Sequence, residues 1–95
     1  MTEIKTHLRQ DTTIDTTATL YGIITGNVTV TNSVDFIVLG TINGEITIQQ
    51  GSSVTIYGKT KGNIFNEGQC KIYGAVTGKL SGNKFDIEPN AVIKL

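Results

Sequence analysis

Residues 20–28 read LYGIITGNV, 38–46 read VLGTINGEI, 56–64 read IYGKTKGNI and 72–80 read IYGAVTGKL. Each phrase carries two glycines, Gly22/Gly26, Gly40/Gly44, Gly58/Gly62 and Gly74/Gly78, and successive pairs are 18, 18 and 16 residues apart. A unit this short cannot bury a core by itself. Neighbouring units must therefore stack, which is the physical definition of a solenoid.

Alternation within the unit defines its local structure. The residues four before the first glycine are Ala18, Phe36, Val54 and Cys70, and those two before it are Leu20, Val38, Ile56 and Ile72. Two after it stand Ile24, Ile42, Thr60 and Val76, and six after it Val28, Ile46, Ile64 and Leu80. Even offsets are thus apolar or glycine, apart from Thr60 and Asn66, while odd offsets are mostly polar. That is the period of a strand with one buried face. Eleven glycines oppose helix, and fifteen threonines against one proline and no tryptophan favour strands.

The paired glycines fall on inward positions, where a missing side chain marks a corner at which a Cβ does not fit or φ is positive. Polar connections of five, five and three residues (TNSVD, QQGSS, EGQ) link the phrases. The pattern predicts an all-β, single-domain parallel β-helix of about four to five short coils, each with three strands and three bends. At ~4.8 Å per stacked strand, the four clear coils make a rod core of about 20 Å. Like residues should form ladders along it. Residues 1–17 are expected to form an irregular N-terminal coil or cap, 18–82 the β-helix repeats, and 83–95 a last partial coil. The competing fold is an antiparallel meander, for which Asn43-Gly44 is the hairpin signal, present in one of the four phrases.

The phrase G-x-[IV]-x-G-x-[IVL], complete at Gly40–Ile46 and Gly74–Leu80 and with Thr60 in place of the apolar residue at Gly58–Ile64, resembles the repeats of the bactofilins, a polymer-forming bacterial cytoskeletal family. The resemblance covers roughly residues 18–82. It implies a compact right-handed β-helix that polymerises end to end without nucleotide and, in many members, associates with the membrane. The first residues here are not the apolar targeting tail of some members, so membrane association is left open.

Composition excludes several function classes. Eight basic and eight acidic residues cancel, which argues against a nucleic-acid partner. The amino terminus, MTEIKTHLRQ, lacks the apolar stretch of a signal peptide, so the expectation is a soluble cytoplasmic protein. Cys70 is a lone cysteine aligned with Phe36 and Val54, and reads as a small buried hydrophobe rather than a nucleophile. His7 has no acidic or nucleophilic partner at a readable spacing, and Asp11 and Asp15 lack further oxygen ligands for a cation. No catalytic, cofactor or metal site is expected, and the chain is read as a non-enzyme.

The candidate functional residues are instead on surfaces. Tyr21, Leu39, Tyr57 and Tyr73, one before each first glycine, should line up as an exposed semi-apolar stripe. In the last segment, Phe85, Ile87, Ile93 and Leu95 alternate on strands without an evident cap. The column Thr29, Thr47, Phe65, Ser81 breaks the paired-threonine regularity that an ice-binding face needs. Changes at Asn27 or Glu45 should be near neutral. Charge divides unevenly, with residues 1–50 acidic and 51–95 basic, so the rod should have an acidic and a basic end. The function these features favour is a self-associating scaffold or filament whose partner is itself, by end-to-end or lateral contact. The alternative is a small binding or inhibitor module, such as an immunity protein or a phage-encoded inhibitor, that docks a protein partner on a rigid face.

Overall fold

The computed structural model describes residues 2–31 and 33–94. It is an all-β solenoid whose chain climbs three strands per turn. The first coil holds β1 (Thr2–Ile4), β2 (His7–Leu8) and β3 (Thr12–Ile14), and the second β4 (Ala18–Leu20), β5 (Ile23–Thr25) and β6 (Val28–Val30). The third holds β7 (Asp35–Val38), β8 (Thr41–Asn43) and β9 (Ile46–Ile48), and the fourth β10 (Ser53–Ile56), β11 (Lys59–Lys61) and β12 (Ile64–Asn66). The fifth holds β13 (Gln69–Ile72), β14 (Ala75–Thr77) and β15 (Leu80–Gly82), and β16 (Phe85–Ile87) with β17 (Val92–Lys94) begin a sixth. These strands form three parallel sheets: A, in the order β1-β4-β7-β10-β13-β16; B, β2-β5-β8-β11-β14-β17; and C, β3-β6-β9-β12-β15.

The register is the one the alternation predicts. Ala18, Phe36, Val54, Cys70 and Phe85 are successive partners in sheet A, and Val28, Ile46, Ile64 and Leu80 in sheet C. Every strand pairing is parallel, which rules out the meander. The Asn43-Gly44 dipeptide serves instead as a corner between sheets B and C. The segment before residue 18, where an irregular coil or cap was expected, contributes β1, β2 and β3, paired in register to the second coil.

The core is one continuous apolar column in which Leu20, Ile24, Phe36, Ile42, Ile56 and Ile72 have no exposed surface. Burying a side chain of this kind contributes about 1.5–3 kcal/mol, and here each coil buries it on the coils above and below. The glycine pairs make that stacking possible, by two different mechanisms. At Gly40 a Cβ would strike the carbonyl oxygen of Gly22 one coil away, so the limit is the close approach of backbones. At Gly62 the limit is doubled, because φ is +137° and a Cβ would also strike the Gly44 carbonyl.

Polar side chains stitch the outside of the B–C corner. The Asn27 N–H donates to Asp11 Oδ1 at 2.9 Å, Glu45 N–H to Asn27 Oδ1 at 3.1 Å, and Lys79 N–H to Asn63 Oδ1 at 3.0 Å. Asn27 is therefore not the inert surface position expected from sequence; its carboxamide satisfies a backbone donor of the next coil. The 16-residue spacing has a local cause too. Asn66 points inward with no exposed surface, its Oδ1 accepts the Gly68 N–H at 3.0 Å, and its Nδ2 donates to the Lys84 carbonyl at 3.3 Å. One side chain thus closes a turn that takes longer polar loops in the two preceding coils.

Candidate functional site

The sheet A to sheet B corner carries the aromatic stripe. The backbone N–H groups of Tyr21, Leu39, Tyr57 and Tyr73 each donate to the carbonyl of the residue that precedes the same corner one coil earlier (Ile4, Leu20, Val38 and Ile56), which puts the four side chains in one column. Tyr57 and Tyr73 stack with ring centroids 4.8 Å apart and planes inclined by 7°, a separation set by the strand spacing itself. Tyr21, Leu39 and Tyr57 are exposed, and Tyr73 is half-buried. Cations flank both ends of the column: Lys5 Nζ lies 5.8 Å from the Tyr21 ring centre and Lys71 Nζ 5.7 Å from that of Tyr73. The Tyr73 hydroxyl, with the Asp86 and Glu88 carboxylates behind it, holds the Lys71 amine above its usual range.

The two end faces form the second surface. At one end the outer edges of β1, β2 and β3 have no strand beyond them, and at the other those of β15, β16 and β17, among the described residues. Core-facing side chains there are only partly covered. Ile4 and Leu8 at the first end, and Leu80, Phe85, Ala91 and Ile93 at the other, pack against the core while remaining half-buried, and Ile87 is 46% exposed. The structure therefore places Phe85, Ile87 and Ile93 together on one face, remote from the tyrosine column except through Tyr73. Leu95 lies outside the described residues.

Charge at the ends is more even than the sequence halves imply. The first coil mixes Glu3, Asp11 and Asp15 with Lys5 and Arg9, and the last strands mix Asp86 and Glu88 with Lys84 and Lys94. The excess negative charge comes chiefly from Asp35 and Glu45 in the third coil, and the excess positive charge from Lys59, Lys61, Lys71 and Lys79 in the fourth and fifth. No acidic end faces a basic one, because each terminal coil carries both signs.

Sequence reading missed one feature. An open trough of about 750 Å³ crosses sheet A, bordered by Asp35, Ser53, Gln69, Lys71, Lys84 and Asp86. Asp35, Ser53 and Gln69 stand in one column of sheet A, and Lys71 pairs with Asp86 in a second column two residues along the strands. The trough offers hydrogen-bonding groups of both signs. Cys70 belongs to a strand beneath it but is 3% exposed and turned into the core, where desolvation pushes its thiol up to about 12. His7 Nε2 sits 2.9 Å from Thr25 Oγ1 on the outer face of sheet B. Among the described residues no three histidine, cysteine, aspartate or glutamate side chains converge on a possible metal position. Among the described residues no helix is long and apolar enough to cross a membrane.

No protein-family model matches the chain, and comparison with the curated proteins and with the solved structures finds no significant match.

Proposed function

We propose that this chain is a structural protein that self-associates end to end into a filament or scaffold, working in the cytoplasm, as its resemblance to bactofilins implies. The observation that carries this reading is the pair of end faces. Among the described residues, each offers a row of unpaired backbone donors and acceptors beside half-covered apolar side chains, with no helix laid across it. A second copy answers both needs at once, since its own end presents parallel strand edges at the same spacing.

The tyrosine column favours a second reading, in which the solenoid is a rigid docking module for another protein. Aromatic side chains held by a stiff backbone supply contact area with little loss of conformational entropy. The two readings part on one pair of variants. Ile93→Lys places a charge in the end face and should abolish high-mass species in sedimentation velocity, whereas Tyr57→Ser should leave end-to-end polymers intact and weaken only their lateral association. A wild-type chain that remains a monomer at high concentration, with neither change altering its mass, overturns the scaffold reading in favour of the docking module.

A further inference from the structure

We infer that the outer wall of sheet B is a docking site for an acidic, extended polypeptide segment that carries apolar side chains between its carboxylates. Such a site goes beyond both readings above, since the wall is neither an end face nor the tyrosine column. Its basis is a segregation of charge that the neutral sum conceals. None of the eight acidic residues lies in β2, β5, β8, β11, β14 or β17, whereas Lys59, Lys61 and Lys94 do, and Arg9 follows β2 directly. The strand period fixes where these cations point. Thr60 and Val76 face the core, so the residues on either side of each face outward. In the last coils this makes two outward columns: Lys59, Ala75 and Val92 in one, and Lys61, Thr77 and Lys94 in the other.

The cations of this wall are uncommitted. Lys59, Lys61 and Lys94 are exposed and make no ion pair among the described residues, and the same holds for Lys79 on the bordering B–C corner. The acidic residues beside the wall are Asp11 and Glu45 on that corner and Glu88 next to Tyr73. Asp11 is engaged with the Asn27 N–H, Glu45 stands one coil before Asn63, and Glu88 acts on Lys71 on the other side. None of them neutralises the lysines of the fourth coil and beyond.

The floor between the lysines selects the occupant. Val92 is 49% exposed, and Ala75, with a single side-chain carbon, separates it from Lys59, while the 50% exposed Tyr57 borders the same coil. The centre is therefore apolar and the surround cationic. A polypeptide answers both parts, with carboxylates at the rim and an apolar side chain over Ala75 and Val92. Its reach fits as well. Lys61 and Lys94 are two strand spacings apart, about 9.6 Å, and an extended chain advances about 10 Å in three residues. A nucleic acid answers only the charge. Its phosphates have no use for the apolar floor, and the rings of Tyr57 and Tyr73, already stacked with centroids 4.8 Å apart, leave no gap between them for a base.

Fluorescence anisotropy at low salt tests this with a labelled peptide of repeated Glu-Glu-Leu triplets, about twelve residues long, against polyglutamate of equal length, oligo-deoxythymidine and vesicles containing phosphatidylserine. The triplet peptide should bind the wild-type chain tightest of the four. Lys59→Glu with Lys61→Glu should weaken it by about tenfold or more, and raising the salt should weaken the wild type in the same sense. Lys84→Glu, an equally exposed lysine on sheet A, should leave binding unchanged, which separates a specific wall from net charge. Val92→Ser should weaken the triplet peptide several-fold and leave polyglutamate as it was. Unaltered thermal midpoints show that these surface variants remain folded. Binding that survives the Lys59/Lys61 reversal, that falls equally with Lys84→Glu, or that is as tight for polyglutamate overturns the proposal, as does tighter binding of the oligonucleotide or the vesicles, or no binding of the peptide at all. Each of those results leaves the end faces and the tyrosine column untouched, so the readings above stand or fall separately.

Discussion

Thr60 occupies a core position in sheet B between Ile42 and Val76, and its hydroxyl is buried without a hydrogen-bond partner among the described residues. An unsatisfied buried hydroxyl costs about 1–3 kcal/mol, whereas valine fills nearly the same volume without that penalty. Thr60→Val is therefore expected to raise stability by about 1–2 kcal/mol in urea unfolding; an unchanged midpoint would show that the hydroxyl is satisfied. Cys70 supplies a second test, through pH. Its thiol is raised from 9.0 to about 12 in the folded chain by burial, so above pH 9 the unfolded chain releases a proton that the folded chain retains. Stability from this group is complete below pH 9 and falls at about 1.4 kcal/mol per pH unit between 9 and 12. Unfolding midpoints of the wild type should decline more steeply above pH 9 than those of Cys70→Val, and parallel slopes would place the thiol in contact with water.

At the scale of the element, strands of two to four residues cannot define themselves by propensity. Their limits come from the corners, and the corners from backbone approach between coils. Gly62→Val combines a β-branched residue at φ +137° with a collision against the Gly44 backbone, and should lower stability by several kcal/mol in thermal unfolding. Glu45 is the control, since its side chain lies exposed on the same corner column; Glu45→Gln should change the midpoint by less than about 0.5 kcal/mol. Equal losses would mean that the corner is not where the fold is constrained. Most of this was readable from the phrase repeat. The exceptions are instructive: Ser33 takes φ 53° in the loop where the next coil uses Gly51 at φ 87°, and no residue type announced that need. Asn66 was visible as a break in the apolar alternation, but its service to Gly68 and Lys84 depends on a neighbouring turn and the following coil.

For the molecule as a whole, stability is distributed along an axis, so the same truncation should cost different amounts at different heights. Ile46 lies in the third coil with 1% of its surface exposed and coils packed on either side. Ile46→Ala should cost about 2–5 kcal/mol, because the cavity cannot collapse. Leu8→Ala, in the half-covered first coil, should cost markedly less. Hydrogen exchange should rank the coils likewise, slowest in the third and fourth and fastest at the ends; uniform protection would show that the ends are as well buried as the middle. Self-association would slow the end coils selectively.

Sequence by itself determined the coil. Period-two alternation fixed which side chains face inward, and glycine spacing fixed where the backbone must turn, since both are local consequences of a pleated strand and a missing Cβ. It also marked the tyrosine column, because identical positions in a solenoid repeat are neighbours in space. Tertiary structure alone decided what lies between coils that are not phrase-equivalent. The polar trough across sheet A, where Lys71 meets Asp86 of the last segment, depends on how loops of different length are absorbed into one common register. Those loops differ in sequence and length, and only packing against the neighbouring coil shows which residue each one brings to the same height.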